Sequence, residues 1–166
     1  MMIPRVRFAL LMVALGSFLA LAAAFGSEWY GGLVPCALCL VERWPYRVAL
    51  CLGLLGAMLP RVWAWGAVWL CLLALLAGAG AGLVHVGVEH GWWPSPLPQC
   101  MAPRLSGLTM AERLARMPLR PSKPCEDPTY LLEALPVSMA ELNVLLALAL
   151  AGGLAIFSIS NRRSPP

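Results

Sequence analysis

Charged residues are scarce in this chain of 166 residues. Only 12% of the residues are Asp, Glu, Lys or Arg, whereas 60% are hydrophobic, and the mean hydropathy is +0.76. This composition excludes an ordinary soluble domain and favours a helical bundle whose apolar surface faces lipid. The basic residues give a net charge of +4 but are scattered without interleaved aromatics, so we expect no nucleic-acid binding. The sequence therefore predicts an all-α integral membrane protein.

Recognisable metal-ligand patterns and internal repeats are also missing. The chain has one CxxC pair, no second CxxC and no HxxxH, so a zinc site built from four cysteines has little support. We therefore expect no metal ligands. The six cysteines do not fix a redox compartment by number, because their position relative to the bilayer decides it.

Four apolar runs are predicted to cross the membrane, at residues 8–25, 40–59, 62–84 and 139–159. The first run is long for a signal peptide, so we interpret it as a retained helix, with a cleaved signal peptide as the alternative. The second run is uncharged only over residues 48–59, which is too short to cross about 30 Å of hydrocarbon. Its charged turns therefore belong at the interface. Ser138 and Glu141 form a capping box that begins the last span.

The distribution of arginines predicts the orientation of a single membrane domain, residues 1–166. The arginines nearest the span ends fall on one side, which places both termini in the cytoplasm; these are Arg5, Arg7, Arg61, Arg162 and Arg163. Residues 26–39 and 85–138 would then form periplasmic loops. In the longer loop, the Thr109–Glu112 capping box predicts a short interfacial helix, with a solvated loop helix as the alternative. We expect a four-transmembrane-helix bundle in the bacterial inner membrane.

The CxxC pair, Cys36 and Cys39, lies where the second helix is predicted to begin. Pro35 precedes it, and proline suits the start of a helix. Unpaired N–H groups and the helix dipole at that end favour a thiolate. If the segment is helical, Arg43 lies on the same face as both cysteines, although Pro45 could kink the helix or mark its true start.

A positive charge is costly within a predicted membrane span, so Arg43 is a functional candidate. Arg47 has no cysteine beside it in the sequence, and we interpret it as an interfacial arginine. Cys51 and Cys71 fall within spans and are expected to be small buried hydrophobic residues. Glu89 and His90 follow the third span. They could interact with a ligand near the outer interface or simply be interfacial polar residues.

Cys100 and Cys125 lie in a proline-rich loop whose sequence predicts no packed elements for a disulfide to connect. A bridge between them would be exposed and weakly supported, which is typical of labile or catalytic disulfides. The outer side of a bacterial inner membrane is oxidising enough for such bonds. The four outer cysteines still allow three pairings.

These motifs together resemble the DsbB family of bacterial disulfide-bond formation proteins. The resemblance rests on four spans, on Cys36-Ala-Leu-Cys39-Leu-Val-Glu-Arg43, and on a second cysteine pair in the long outer loop. Glu89-His90, the Trp-Pro-Ser-Pro stretch before Cys100 and the Cys125-Glu dipeptide also match the family pattern. The likeness extends over nearly the whole chain.

The resemblance implies electron transfer from a DsbA-like periplasmic thioredoxin-fold oxidase to a membrane quinone, either ubiquinone or menaquinone. It implies redox disulfides Cys36–Cys39 and Cys100–Cys125, with Cys100 attacked by the partner. Cys36 would exchange with the loop pair and Cys39 would face the quinone. Arg43 would bind the quinone oxygen, and His90 and Glu89 would lie near the ring.

Three other functions would use the same residues. A soft-metal transporter would pass Hg or Cu between cysteine pairs and would need cysteines along its path. A structural four-helix subunit would use two disulfides only for stability. An enzyme similar to vitamin K epoxide reductase would place its CxxC later in the chain.

Overall fold

The computed structural model describes residues 3–100, 109–115, 123–130 and 136–163 of the chain. The prediction of an all-helical protein is confirmed. The helices are α1 Ile3–Trp29, α2 Ala37–Met58, α3 Arg61–Glu89, α4 Met110–Ala115 and α5 Met139–Arg163, with a short 3-10 helix at Pro98–Cys100.

Within the described residues, three helices are long and apolar enough to cross a membrane. The candidate spans are Arg5–Trp29, Arg61–Glu89 and Met139–Asn161, in α1, α3 and α5. Helix α2 is not among them, and its first half carries Glu42, Arg43 and Arg47. The fourth span therefore stays a prediction.

Close contacts between small residues bring the helices together. Helix α2 packs against both α1 and α3, and α3 packs against α5. A Cβ added to Gly56 would lie 2.5 Å from the Cβ of Ala67, so α2 and α3 approach backbone to backbone at this point. Leu10, Val68 and Leu75 are fully buried between the helices.

The end of α3 differs from the sequence prediction. Residues 85–89 were expected to be the first residues of the long loop. In the structure they belong to α3 and form its last five residues. The helix ends at Glu89 with His90 as its C-cap, and the next residue, Gly91, has a φ of 69° that glycine adopts readily. The N–H of Trp92 donates to the carbonyl of Gly87 at 2.8 Å and closes the helix end. This longer helix carries His85 into the protein interior.

Both predicted capping boxes lie at helix starts. The Ser138 Oγ accepts from the N–H of Glu141 at 3.2 Å, and the Glu141 carboxylate accepts from the N–H of Ser138 at 2.9 Å. The Thr109 hydroxyl accepts from the N–H of Glu112 at 3.3 Å at the start of α4. The side chains of residues 113–115 of α4 lie outside the described part, so the interfacial position expected for this helix stays a prediction.

Candidate functional site

Helix α2 begins at the CxxC pair, with Cys36 as its N-cap. Cys36 has extended backbone angles, φ −79° and ψ 169°, and its Sγ accepts a hydrogen bond from the N–H of Cys39 at 3.1 Å. The cysteine therefore satisfies one of the unpaired N–H groups of the first turn, as serine does at other helix starts. Cys39 lies inside that turn and Cys36 just outside it.

Pro45 neither starts nor breaks the helix, which continues from Ala37 to Met58. Proline removes one backbone hydrogen bond inside a helix, and tertiary packing must offset that loss. A Cβ added to Gly78 of α3 would lie 3.0 Å from the Cβ of Pro45, so the proline ring packs closely on the neighbouring helix. The helical register between Cys39 and Arg43 is therefore intact.

The two sulfurs of the CxxC pair are close but not bonded. Both residues are free thiols, and their Sγ atoms are 2.9 Å apart, whereas a disulfide bond is about 2.05 Å long. The hydrogen bond with the Cys39 thiol lowers the pKa of Cys36 below its ordinary value, and the Cys39 N–H adds to this effect. Burial of Cys36 acts in the opposite direction.

A cavity of about 160 Å³ opens beside Cys39, and its walls come mainly from α1, α2 and α5. Most of the lining is alanine, leucine and other apolar side chains. A smaller polar set consists largely of Cys39, Glu42, Arg43, Tyr46 and Asn143. An apolar protein cavity of about 150 Å³ is known to bind benzene, so a single six-membered ring fits a space of this size.

Arg43 belongs to this cavity and Arg47 does not. Arg43 is 7% exposed, forms an ion pair with Glu28 of α1, and has its guanidinium carbon 5.0 Å from the centroid of the Phe25 ring. A buried cation requires such a partner. The guanidinium of Arg47 lies 5.3 Å from the Trp44 centroid and 5.9 Å from the Phe25 centroid, and Arg47 is not among the residues that line the cavity. The distinction between the two arginines therefore has a structural basis.

Cys36 contacts a buried imidazole on the side away from the cavity. His85 of α3 is 2% exposed, and its Nε2 lies 3.4 Å from the Cys36 Sγ. Its Nδ1 lies 2.7 Å from the Glu42 Oε1, and the other Glu42 oxygen accepts from the Asn143 side-chain amide at 3.0 Å. The three helices α2, α3 and α5 thus meet in one buried polar network.

The loop disulfide lies in the same region as Cys36. Cys100 and Cys125 are bonded, and both are essentially buried, at 1% and 0% exposure. They form one apolar cluster with Cys36, Leu38 and Val88. We expected this bridge to be exposed and weakly supported. The structure corrects that expectation, because the short 3-10 helix and the 123–130 segment fold back onto the start of α2.

Backbone contacts hold the second loop segment in place. Lys123 forms an isolated parallel bridge with Cys36, and the N–H of Cys125 donates to the carbonyl of Cys100 at 3.2 Å. The Lys123 ammonium donates to the Pro128 carbonyl and the Thr129 hydroxyl, which closes the turn that follows Cys125. The disulfide is therefore positioned by local hydrogen bonds as well as by burial.

The structure does not bring His90 to the cavity. Its side chain is 51% exposed, its Nε2 lies 3.4 Å from the Glu141 carboxylate, and its ring stacks on Trp92. Glu89 is also absent from the cavity lining. Its carboxylate accepts from the Ser138 hydroxyl at 2.6 Å, and its other oxygen lies 3.8 Å from the His85 Nε2. These two residues therefore stand apart from Cys39 and Arg43.

The remaining two cysteines differ from each other. Cys71 is fully buried, and its thiol donates to the Ala49 carbonyl at 3.8 Å, as expected for a core residue. Cys51 was also expected to be buried but is exposed on the surface of the bundle. Neither cysteine lines the cavity. A zinc site that uses Cys36, Cys39, Cys100 and Cys125 together is incompatible with the Cys100–Cys125 bond.

Sequence reasoning missed His85, Glu28 and Asn143. His85 was assigned to the loop because the predicted span stopped at Val84. The pattern that could have found it is the spacing of His85 and Glu89, which puts two ionisable groups on one helix face. Glu28 and Asn143 lie 15 and 101 residues from their partners on α2, and only the fold brings them together.

The chain is similar in sequence to one protein family and to several individual proteins. The family model described as "Disulfide bond formation protein DsbB" matches residues 6–157. The "Disulfide bond formation protein B" of Actinobacillus pleuropneumoniae is 36% identical over 57% of this chain and 52% of that protein. The protein of the same name from Aeromonas salmonicida is 35% identical over 54% and 51%. This chain therefore spans about half the length of these two relatives.

A further relative is the "Uncharacterized protein RP370" of Rickettsia prowazekii. It is 27% identical over 81% of this chain and 77% of that protein. No solved structure matches the chain.

Proposed function

Because the chain belongs to the DsbB family of membrane proteins that form disulfide bonds, we propose that it is a thiol–quinone oxidoreductase. It reoxidises a DsbA-like periplasmic thioredoxin-fold oxidase and passes the electrons to a membrane quinone. One observation carries this proposal. The start of α2 has Cys39 on a ring-sized cavity and Cys36 against a second, buried cysteine pair.

The cavity residues fit a quinone. The volume of about 160 Å³ and the mainly apolar walls suit one six-membered ring. Arg43 provides a permanent positive charge at the wall and favours negative charge on a ligand oxygen. A bound quinone supplies an acceptor for two electrons and two protons. Ubiquinone and menaquinone share this chemistry, and the residues of the cavity suit both.

The thiols of the chain perform the exchange steps. A thiolate of the partner attacks Cys100, which breaks the Cys100–Cys125 bond and releases Cys125 as a thiolate. The second partner thiolate then displaces Cys100, so the partner leaves with a disulfide and both loop cysteines are reduced. The Cys125 thiolate next attacks Cys36 of an oxidised Cys36–Cys39 pair, and Cys39 is released as a thiolate at the cavity wall.

Closure of the cycle restores the starting bonds. The Cys100 thiolate attacks the Cys125 sulfur of the Cys36–Cys125 bond, which reforms the loop disulfide and leaves Cys36 and Cys39 as two thiols. The pair then loses two electrons and two protons at the cavity and becomes a disulfide again. Burial of both cysteine pairs in one cluster keeps these sulfurs within reach of each other.

The orientation that serves this function has both termini in the cytoplasm of a bacterium and the cysteine pairs on the periplasmic side of the inner membrane. Arg5, Arg7 and Arg61 support this orientation, because basic residues favour the cytoplasmic side. Helix α2 would be the fourth span, with its charged first turns at the outer interface. Four spans place both loops on the oxidising side.

The test uses the purified full chain in lipid vesicles with a soluble quinone and a reduced DsbA-like protein. Quinone absorbance and partner thiols are followed together, and one quinol is expected per partner disulfide. A Cys51→Ser variant serves as the matched control and should behave as the unaltered chain. Failure to reduce quinone with all four outer cysteines intact would refute the proposal.

A further inference from the structure

The Cys36 sulfur is shielded from solvent and touches two groups that can take its proton. Cys36 is 4% exposed and does not line the cavity, and its Sγ lies 2.9 Å from the Cys39 Sγ and 3.4 Å from the His85 Nε2. Oxidation of the pair to a disulfide releases two electrons and two protons, which a quinone takes up together. Cys39 lines the cavity and must lose its own proton in the same oxidation. The proton of Cys36 therefore requires a second acceptor.

We propose that His85 and Glu42 form a proton relay that accepts the Cys36 proton and carries it to the cavity. The proposal rests on the proposed function, because a quinone is the group that finally takes the proton. The His85 Nε2 lies 3.4 Å from the Cys36 Sγ, and its Nδ1 lies 2.7 Å from the Glu42 Oε1. His85 is therefore a catalytic residue that contacts a reacting sulfur directly.

The hydrogen-bond partners assign the tautomer of His85. A carboxylate has no hydrogen to donate, so the Nδ1 of His85 donates to Glu42. The Nε2 then presents its lone pair towards the Cys36 thiol. Transfer of the thiol proton to Nε2, together with movement of the Nδ1 proton to Glu42, leaves the imidazole neutral and the carboxyl protonated. The electron pair stays on the Cys36 sulfur. Formation of the Cys36–Cys39 bond then releases two electrons, which a quinone held in the cavity would accept together with the two protons.

Glu42 connects the two sides of the helix tip. It is 6% exposed, contacts His85 through one oxygen, and is also among the residues that line the cavity. The Asn143 amide donates to its second oxygen at 3.0 Å and fixes the orientation of the carboxyl group. A proton that reaches Glu42 is therefore at the wall of the ring-sized space, where the reduced ligand takes it.

Other charged or titratable groups face His85 and bear on its pH dependence. Glu89, on the same helix, lies 3.8 Å from the Nε2, and Glu42 of α2 contacts the Nδ1 on the other side of the ring. The Cys39 Sγ of α2 also lies within 4.8 Å of an imidazole nitrogen. A bell-shaped profile would therefore report the whole group and not His85 alone.

The first test needs no quinone. The reduced, quinone-free chain is treated with iodoacetamide at a series of pH values, and addition to Cys36 is separated from addition to Cys39 by peptide mass spectrometry. In His85→Gln, we expect Cys36 to react about tenfold more slowly at neutral pH and its pH profile to move upwards. Cys51→Ser is the control, because Cys51 is exposed and does not line the cavity, and it should leave the Cys36 profile unchanged.

The second test measures quinone reduction. Loss of the relay should lower kcat by about 10²-fold in His85→Gln and Glu42→Gln while the KM for quinone stays unchanged. General damage to the cavity would instead raise KM. Circular dichroism and thermal unfolding check that both variants fold, and Glu42→Gln carries the test if His85→Gln does not.

The outcomes separate the relay from the proposed function. If quinone reduction proceeds and His85→Gln resembles Cys51→Ser in both tests, the relay is wrong and the proposed function stands. If the unaltered chain reduces no quinone, the proposed function is wrong and so is the route to the cavity. If the reactivity of Cys36 still depended on His85 in that case, only the contact between the thiol and the imidazole would stand, and not the relay to the cavity.

Discussion

Two cysteine pairs lie within one buried cluster, yet they are held in different ways. Cys36 and Cys39 are thiols at the start of a membrane-associated helix, where backbone N–H groups, an imidazole and a cavity surround them. Cys100 and Cys125 are a disulfide in segments that reach the cluster from outside the helix bundle. The first pair is defined by helix geometry and the second by loop contacts.

The difference shows how the start of one helix can take part in two reactions, thiol exchange with the loop disulfide and oxidation at the cavity. As the N-cap, Cys36 leaves the helical register, so its sulfur faces α3 and the loop disulfide. Cys39 stays in the register and lines the cavity with Arg43. Two cysteines only three residues apart therefore have different neighbours, and substitutions on each side should affect different steps.

The largest expected effect comes from Cys39→Ser. We expect quinone reduction to fall to the background rate, because no redox sulfur then lines the cavity and Cys36 has lost the cysteine with which it forms a disulfide. Quinone absorbance gives the rate. Cys71→Ser is the control variant and should keep its turnover, because Cys71 is buried away from the cavity. Substantial quinone reduction by Cys39→Ser would contradict the claim that Cys39 is the sulfur that reacts at the cavity.

Arg43 sharpens the cavity side of the comparison. Loss of a charged hydrogen-bond donor costs about 1.5–3 kcal/mol, so Arg43→Gln should raise the KM for quinone by about tenfold or more. Arg47→Gln is the control, because its guanidinium lies over Trp44 and not at the cavity. Thiol exchange between the loop pair and Cys36 should be unaffected in both variants. Equal KM values for the two would contradict the special position of Arg43.

The pKa of Cys36 depends on Cys39, the cysteine that lines the cavity. Cys39→Ala removes the thiol that lowers the pKa of Cys36. The Cys36 pKa should therefore rise, and its reaction with iodoacetamide at neutral pH should slow. A depressed folded-state pKa contributes stability above the ordinary thiol pKa, and this contribution is lost as pH falls through the lowered value. Thermal unfolding of the reduced chain should show that slope, weakened in Cys39→Ala.

The smallest expected effect concerns the hydrogen bonds that cap the starts of α4 and α5. Ser138→Ala removes the cap of α5 and the hydroxyl that donates to Glu89, so we expect a loss of about 1 kcal/mol in unfolding free energy. Thr109→Ala removes the corresponding cap of the short helix α4 and should leave bundle stability nearly unchanged. Chemical unfolding measures both. A larger loss in Thr109→Ala would show that α4 supports the bundle more than its contacts indicate.

Much of the fold was predictable from local patterns. Apolar runs, the Ser138 capping box and the proline before the CxxC pair all act within a few residues, and the helices began near the expected places. The end of α3 was harder to predict, because a histidine and a glutamate interrupt the apolar run. Their burial depends on Glu42 and Ser138 from other elements, which no local pattern reveals.

The site was predictable in part for the same reason. Helical spacing correctly related Cys39 to Arg43, but it also placed Cys36 on that face, and an N-cap does not follow helical spacing. His90 and the buried His85 are only five residues apart. Which of them reaches the thiols depends on where α3 ends, and that is set by the Gly91 turn and by packing against α5.

The division of the helix tip into two sides is the central claim, and disulfide trapping tests it most directly. A Cys100→Ser chain, with its Cys36–Cys39 pair oxidised by quinone, has a free Cys125 thiol that can attack one sulfur of that pair. Peptide mapping should find a Cys36–Cys125 bond and an alkylated Cys39. A Cys39–Cys125 bond with Cys36 alkylated would contradict the account.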